Sequence, residues 1–238
     1  MKRTRFTLSP ALVLAILAGL SQPFTLLAQN PSAAERAAAL KESMAASQAV
    51  LRQYEWIETT VVSLKGEEKS RKQNRCYYGA DGGVQKVPVA AAPPPEKKRG
   101  LRGKIAESKK EELTEYMQQA VALVKTYVPP APARIQAAKD AGKVSLDILQ
   151  PGKAVRLNFR DYAKPGDTLS AEVDLVNDRL LGLKVKTYLE DAKDAVNLDA
   201  RFAALADGTA YPDKITLDAP AKQLRVAVDN SGYRKVGG

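Results

Sequence analysis

Residues 167–236 read DTLSAEVDLV (167–176), LLGLKVKTYL (180–189), AVNLDARFAA (195–204), DKITLDA (213–219) and QLRVAVDNSGYRKV (223–236), with short turns between them. In the first segment Leu169, Ala171, Val173 and Leu175 alternate with Ser170, Glu172 and Asp174. The second sets Leu181, Leu183, Val185, Thr187 and Leu189 against Gly182, Lys184, Lys186 and Tyr188. Val196, Leu198, Ala200, Phe202 and Ala204 share one side of the third, and Leu224, Val226 and Val228 one side of the last. A period of two sends successive side chains to opposite faces, so each segment reads as a strand with one apolar and one wet face. Strands joined this tightly pair antiparallel, because a parallel pairing needs a long crossover. The result is a curved antiparallel sheet whose apolar face needs a cover.

The pattern extends toward the N-terminus. KVSLDILQ and AVRLNFRDYA form a hairpin across PGK, with Leu157 and Phe159 facing one way and Arg156, Asn158 and Arg160 the other. Before it, two helices are expected. The longer runs from 105 to about 127 and ends ahead of Pro129 and Pro130. Its apolar stripe is Leu113, Met117, Val121, Val124 and Val128, widened by Ala120 and Leu123. The shorter, ARIQAAKDAG, stops at Gly142, which suits a left-handed C-terminal position. YEWIETTVVSLKGEEKSRKQNRCYYGADGGVQKVPV reads as a three-strand meander with turns at GEE and ADGG. Trp56 and Ile57, then Val61 and Val62, point opposite ways, so both faces are partly covered there. Trp56, the single tryptophan, reads as a core anchor. A first helix precedes this meander: Ser32 and Glu35 have capping-box spacing, and Ala33, Ala37, Leu40, Met44, Ser47 and Leu51 form a narrow stripe. Between the meander and the long helix, residues 90–104 carry three prolines and a basic cluster, a composition for an exposed loop rather than a ladder. With helices between two β blocks, both blocks can share one sheet of about ten strands with the helices on its concave side.

Composition narrows the chemistry. Of a formal charge of +10, three units (Lys2, Arg3 and Arg5) precede any fold, and the others are dispersed along strands and loops. That is a solvated sheet face rather than a nucleic-acid surface. There is no histidine and one cysteine, which removes the usual imidazole base, most zinc sites and any intramolecular disulfide; Cys76 is expected to be buried. MKRTRF followed by TLSPALVLAILAGL and SQPFTLLA has the outline of an export signal cut after Ala28, with Leu26 bulkier than usual at the minus-three position. An uncleaved anchor is the alternative, since residues 10–28 approach bilayer-spanning length. The expected organisation is a signal peptide over 1–28 and a single domain over 29–238, exported to a bacterial periplasm.

At the C-terminus, AYPDKITLDAPAKQLRVAVDNSGYRKV resembles the ending shared by periplasmic lipoprotein-sorting proteins, the outer-membrane lipoprotein carrier and its relatives (the LolA-like fold). The matching residues are Pro212, Lys214 and Ile215, then Tyr233, Lys235 and Val236. The order of elements is similar too: signal, helix, strands, mid-chain helical lid, long antiparallel meander. The resemblance implies an unclosed half-barrel, covered by helices, whose hydrophobic cavity accepts acyl chains. The basic residue at the carrier's cavity mouth has no match here.

No catalytic constellation emerges. Ser108-Lys109-Lys110 lies on an exposed helical turn, and the carboxylate pairs Glu111 and Glu112, Asp191 and Asp194, and Glu172 and Asp174 sit on polar faces or turns. Calcium at Asp191, Asp194 and Asp199 fails the loop spacing. The chain therefore reads as a non-enzymatic α+β protein without cofactor or metal, a monomer that takes a lipid, an acyl chain or an acylated protein and no nucleic acid. The expected ligand-lining residues are Leu113, Met117, Val121 and Val124 from the lid, and Leu157, Phe159, Leu183, Val185, Leu198 and Phe202 from the sheet. The loop over 90–104 is a candidate hinge for release. The alternative is an envelope sensor that binds a protein partner through an outer face built from Lys184, Lys186, Arg201 and Arg225.

Overall fold

Alternation makes strands, and tight turns make them neighbours; the computed structural model shows where this local rule holds and where one distant pairing overrides it. Residues 33–89 and 101–236 are described, so the expected signal over 1–28 and residues 90–100 of the expected loop and hinge lie outside them. The elements are α1 (Ala33–Leu51), β1 (Tyr54–Leu64), β2 (Glu67–Tyr78), β3 (Val84–Pro88), α2 (Leu101–Lys125) and α3 (Pro132–Asp140). Then follow β4 (Val144–Gln150), β5 (Ala154–Arg160), β6 (Thr168–Asp174), β7 (Arg179–Tyr188), β8 (Ala195–Ala204), β9 (Ala210–Ala219) and β10 (Leu224–Lys235). α2 begins at Leu101, so 101–104, expected in the loop, are its first turn; the prolines end at Pro95 and nothing beyond them bars a helix.

All ten strands join one antiparallel sheet in the order β3-β2-β1-β10-β9-β8-β7-β6-β5-β4. β3 and β4 are the two free edges, so the sheet is an open half-barrel. Every neighbour is consecutive in sequence except β1 and β10, which run from Tyr54 opposite Lys235 to Leu64 opposite Leu224. Gly232, at φ +64, sits in the bulge of that ladder, where a side chain would hold the left-handed conformation at a cost. Lys65 and Gly66 make a two-residue turn with both φ positive, which matches the strand twist between β1 and β2. A second bulge corrects the reading of β7. Glu172 faces Gly182 while Val173 faces Leu180, so the ladder skips Leu181 and Leu180 is the one buried.

The three helices cover the inner face. One buried cluster joins Tyr127, Ala138, Phe159, Tyr162, Leu169 and Val173 with Leu180, Leu183, Val185 and Ala200. The other joins Tyr116, Ala120 and Val124 of α2 with Val196, Leu217, Ala219 and Leu224. Leu123 and Leu198 touch both. α1 lies against β7, β9 and β1. Its contact line runs through Leu40, Ser47 and Leu51, and the Ser47 hydroxyl accepts from the Ala210 N–H at 3.1 Å. Met44, expected on that stripe, is 40% exposed. Trp56 is buried as expected: its Nε1–H donates to Asn230 Oδ1 at 3.0 Å and its ring stacks on Tyr233. Cys76 is fully buried beside it.

Candidate functional site

The inner face is built by alternation on the strands and by periodicity near 3.6 on α2. Of the ten lining residues expected, Phe159, Leu183, Val185 and Val124 are buried in the two clusters, and Leu157, Leu198, Phe202, Leu113 and Met117 pack against them partly covered. Val121 does not belong. It is 36% exposed, while Tyr116, Ala120, Val124 and Tyr127 are buried. At about 100° per residue the buried face of α2 centres on Ala120, and its next neighbour in sequence points away from the sheet. Ala120, which widens the expected stripe, takes its centre because its small side chain lets the helix approach the strands.

The lid is latched at its C-terminal end by a buried carboxylate. Asp167, 1% exposed, accepts from the Tyr127 hydroxyl at 2.6 Å and from the backbone N–H groups of Ala163 and Lys164 at 3.1 and 2.9 Å. Tyr127 also shares a hydrogen bond with Thr187 on β7 at 2.8 Å. Burial, then the bond to Asp167, pushes the Tyr127 phenol well above its ordinary value, so it remains a neutral donor. At mid-helix the Tyr116 hydroxyl donates to Asp194 at 2.7 Å, and its phenol is likewise raised, by burial first. α3 continues from the same end: the Ala131 N–H donates to the Tyr162 hydroxyl at 2.6 Å, and Ile135 and Ala138 pack on the cluster around Phe159.

Helix cover stops short of the β4 edge. Leu146 faces Leu157 and Ile148 faces Val155 across the β4–β5 ladder, so all four side chains share the inner face. Leu157 and Val155 pack on the core, yet Leu146 is 56% and Ile148 67% exposed. This apolar margin was not among the expected lining residues. Its alternation was legible in VSLDILQ, but its place at a free edge beyond the helices was not. Twelve partly covered apolar residues surround the ten buried ones of the larger cluster, so the inner layer stays open around its rim.

Among the described residues, grooves lie on the outer face. One, of about 360 Å³, is lined by Lys184, Lys186, Arg201, Lys214 and Arg225 with Asp199 and Asp218 among them. Another, of about 510 Å³, runs past Tyr188, Pro165, Gly166, Glu190 and Asp191, and both include Lys186 and Asn197. At the β5–β7 end of this face Glu172 accepts from Lys184 at 2.7 Å and Arg156 at 2.8 Å. Burial raises the Glu172 carboxyl, but these two cations outweigh it and hold it below its ordinary value.

No protein-family model and no curated protein sequence matches the chain. Among the solved structures similar to it are two that show the range of the likeness. One is a DUF1329 family protein from Desulfovibrio piger, 12% identical, with a TM-score of 0.33 over 85% of this chain and 93% of that one. Another is a LolA superfamily protein from Nitrosomonas europaea, 8% identical, with a TM-score of 0.35 over 84% of this chain and 94% of that one. The second carries the name of the group that the C-terminal residues resemble. At these values neither neighbour decides what this chain binds.

Proposed function

We propose that this chain is a non-enzymatic, exported half-barrel, one domain over 29–238 after a signal over 1–28, that holds an acyl chain or similar amphiphile on its inner face. The observation that carries the reading is the uncovered apolar margin at Leu146 and Ile148, continuous through Val155 and Leu157 with the helix-covered core. An alkyl chain laid along that margin and under the lid would meet Leu157, Leu198, Phe202, Leu113 and Met117, which are partly covered and so still have surface to give. Affinity would come from burial alone: about ten methylenes at about 0.8 kcal/mol each contribute about 8 kcal/mol before ordering costs. Fully buried Val185 belongs to the floor that supports this surface.

The test is native mass spectrometry of the exported protein, gently purified, beside an Ile148→Glu variant. Ile148 is mostly exposed, so the substitution spares the fold, whereas a charge at Met117 would enter the packed α2 face. A lipid mass released by organic solvent, and lost in the variant, supports the reading. A clean protein mass that does not change on incubation with fatty acid or phospholipid overturns it.

A second reading, a protein-binding module of the cell envelope, is favoured by the outer grooves, where Lys184, Lys186, Arg201 and Arg225 line one surface. The two readings use opposite faces of the sheet.

A further inference from the structure

On the outer face four strands each add a cation to one trough: Lys184 and Lys186 from β7, Arg201 from β8, Lys214 from β9 and Arg225 from β10. The register sets Arg201 opposite Lys214, and puts Lys186 and Arg225 at the two ends of another row, with Asn197 and Asp218 between them. Three of the five are weakly committed. Lys184 is held by Glu172 and Lys214 by Asp229 at 3.0 Å, but Arg201 reaches Asp199 only at 4.0 Å. Lys186 and Arg225 have no ion-pair partner among the described residues, and both are exposed.

We infer that this trough docks an extended, acidic peptide segment of a partner protein, crossing the strands from Arg225 toward Lys186 and on toward Tyr188. The inference rests on the protein-binding reading and gives that partner its chemistry. From β10 to β7 is three inter-strand steps, about 14 Å, the reach of four or five extended residues. In such a segment side chains on one side recur about every 7 Å, so acidic residues four positions apart, about 14 Å, reach Arg225 and Lys186 at the two ends of their row. Asn197 and Thr216, in the trough floor, suit a backbone that must find hydrogen-bond partners. The walls decide against the simpler anionic ligands. Asp199 and Asp218 stand among the cations and Glu190 and Asp191 at the far end, where a phosphate would meet carboxylates. A recessed trough also cannot lie flat on a bilayer. A peptide places its charges one at a time and passes the carboxylates with neutral residues.

The experiment is fluorescence anisotropy at low salt with the exported protein and short labelled peptides. One has glutamate at every fourth position with neutral residues between, one has glutamine there, and one has lysine. Vesicles containing an anionic phospholipid and inorganic phosphate serve as competitors. The double reversal Lys186→Glu with Arg225→Glu, checked for an unchanged melting temperature, is the variant, and Ile148→Glu is its control on the other face. The expected result is binding of the glutamate peptide that falls with salt, weakens about tenfold or more in the double reversal and is untouched by Ile148→Glu. Equal binding of the glutamine peptide, still lost in the reversal, overturns the acidic specificity and leaves the protein-binding reading standing. Absence of any peptide binding overturns both. Binding to vesicles or phosphate with none to peptide overturns the inference in favour of those anions.

Discussion

Asp167 holds more of this fold than its single charge suggests, because a buried carboxylate is tolerable only when its oxygens are occupied. Three donors converge on it, from the end of α2 and from the loop before β6. Asp167→Ala leaves the Tyr127 hydroxyl with one partner and two backbone N–H groups with none, and should cost about 3 kcal/mol in urea unfolding. Tyr127→Phe removes one donor and keeps the ring, and should cost about 1 kcal/mol. Equal losses in the two variants would mean that packing of the ring, not the latch, dominates. A different carboxylate contributes to the acid limit. Asp207 accepts from Thr209 and from the Tyr54 hydroxyl, and these bonds lower it to about 2 from an ordinary 3.8. Its folded value is the lower one, so its stabilisation is complete above about pH 4 and is lost as pH falls toward 2. In Asp207→Asn, melting temperature should therefore fall less steeply between pH 4 and pH 2 than in the parent. Neither role was legible beforehand: an aspartate in a loop looks the same whether water or a distant tyrosine meets it.

Among the elements, α2 shows how a helix selects its face. Several stripes could be drawn through ESKKEELTEYMQQAVALVK, and the valines at 121 and 124 suggested one. The sheet keeps Leu113, Met117 and Val124, leaves Val121 out and centres the face on Ala120, the residue that allows the closest approach. Val124→Ala should cost about 2 kcal/mol, since it empties a buried site beside Val196 and Leu217. Val121→Ala should stay within about 0.5 kcal/mol. Ala120→Leu should cost about 2 kcal/mol or more by forcing the helix off the strands, a loss that thermal melts of the three variants would rank. The β4–β5 hairpin, by contrast, was legible as a hairpin across PGK with Leu157 and Phe159 on one face, though not the register shift between Ile148 and Gln150. What its pattern lacked was the fact that no described strand pairs beyond β4, and the exposed inner margin depends on that.

For the whole molecule, one ladder joins everything. The block from Tyr54 to Pro88 and the block from Val144 to Ala219 meet in the sheet only through β10. Removing β10 should therefore free the first three strands as a unit; hydrogen exchange should show β1 amides open while those of β6 and β7 stay protected. Uniform loss of protection would mean instead that the second block cannot stand without the first. The free edges differ in kind: β3 ends on Pro88, which offers no donor, while β4 presents apolar side chains beside an open ladder. By itself the sequence determined the strands, their antiparallel succession from β4 to β10, the three helices and the sorting of cations to the outer face. It could do so because these follow from periodicities of two and 3.6 residues, which are properties of neighbours along the chain. Only the tertiary structure decided that β1 closes on β10, that a bulge exchanges Leu181 for Leu180, that α2 turns on Ala120, and that cations from four strands line one trough. Each of these is a choice among partners far apart in sequence, made by what buries best once the sheet exists, and no local pattern records it.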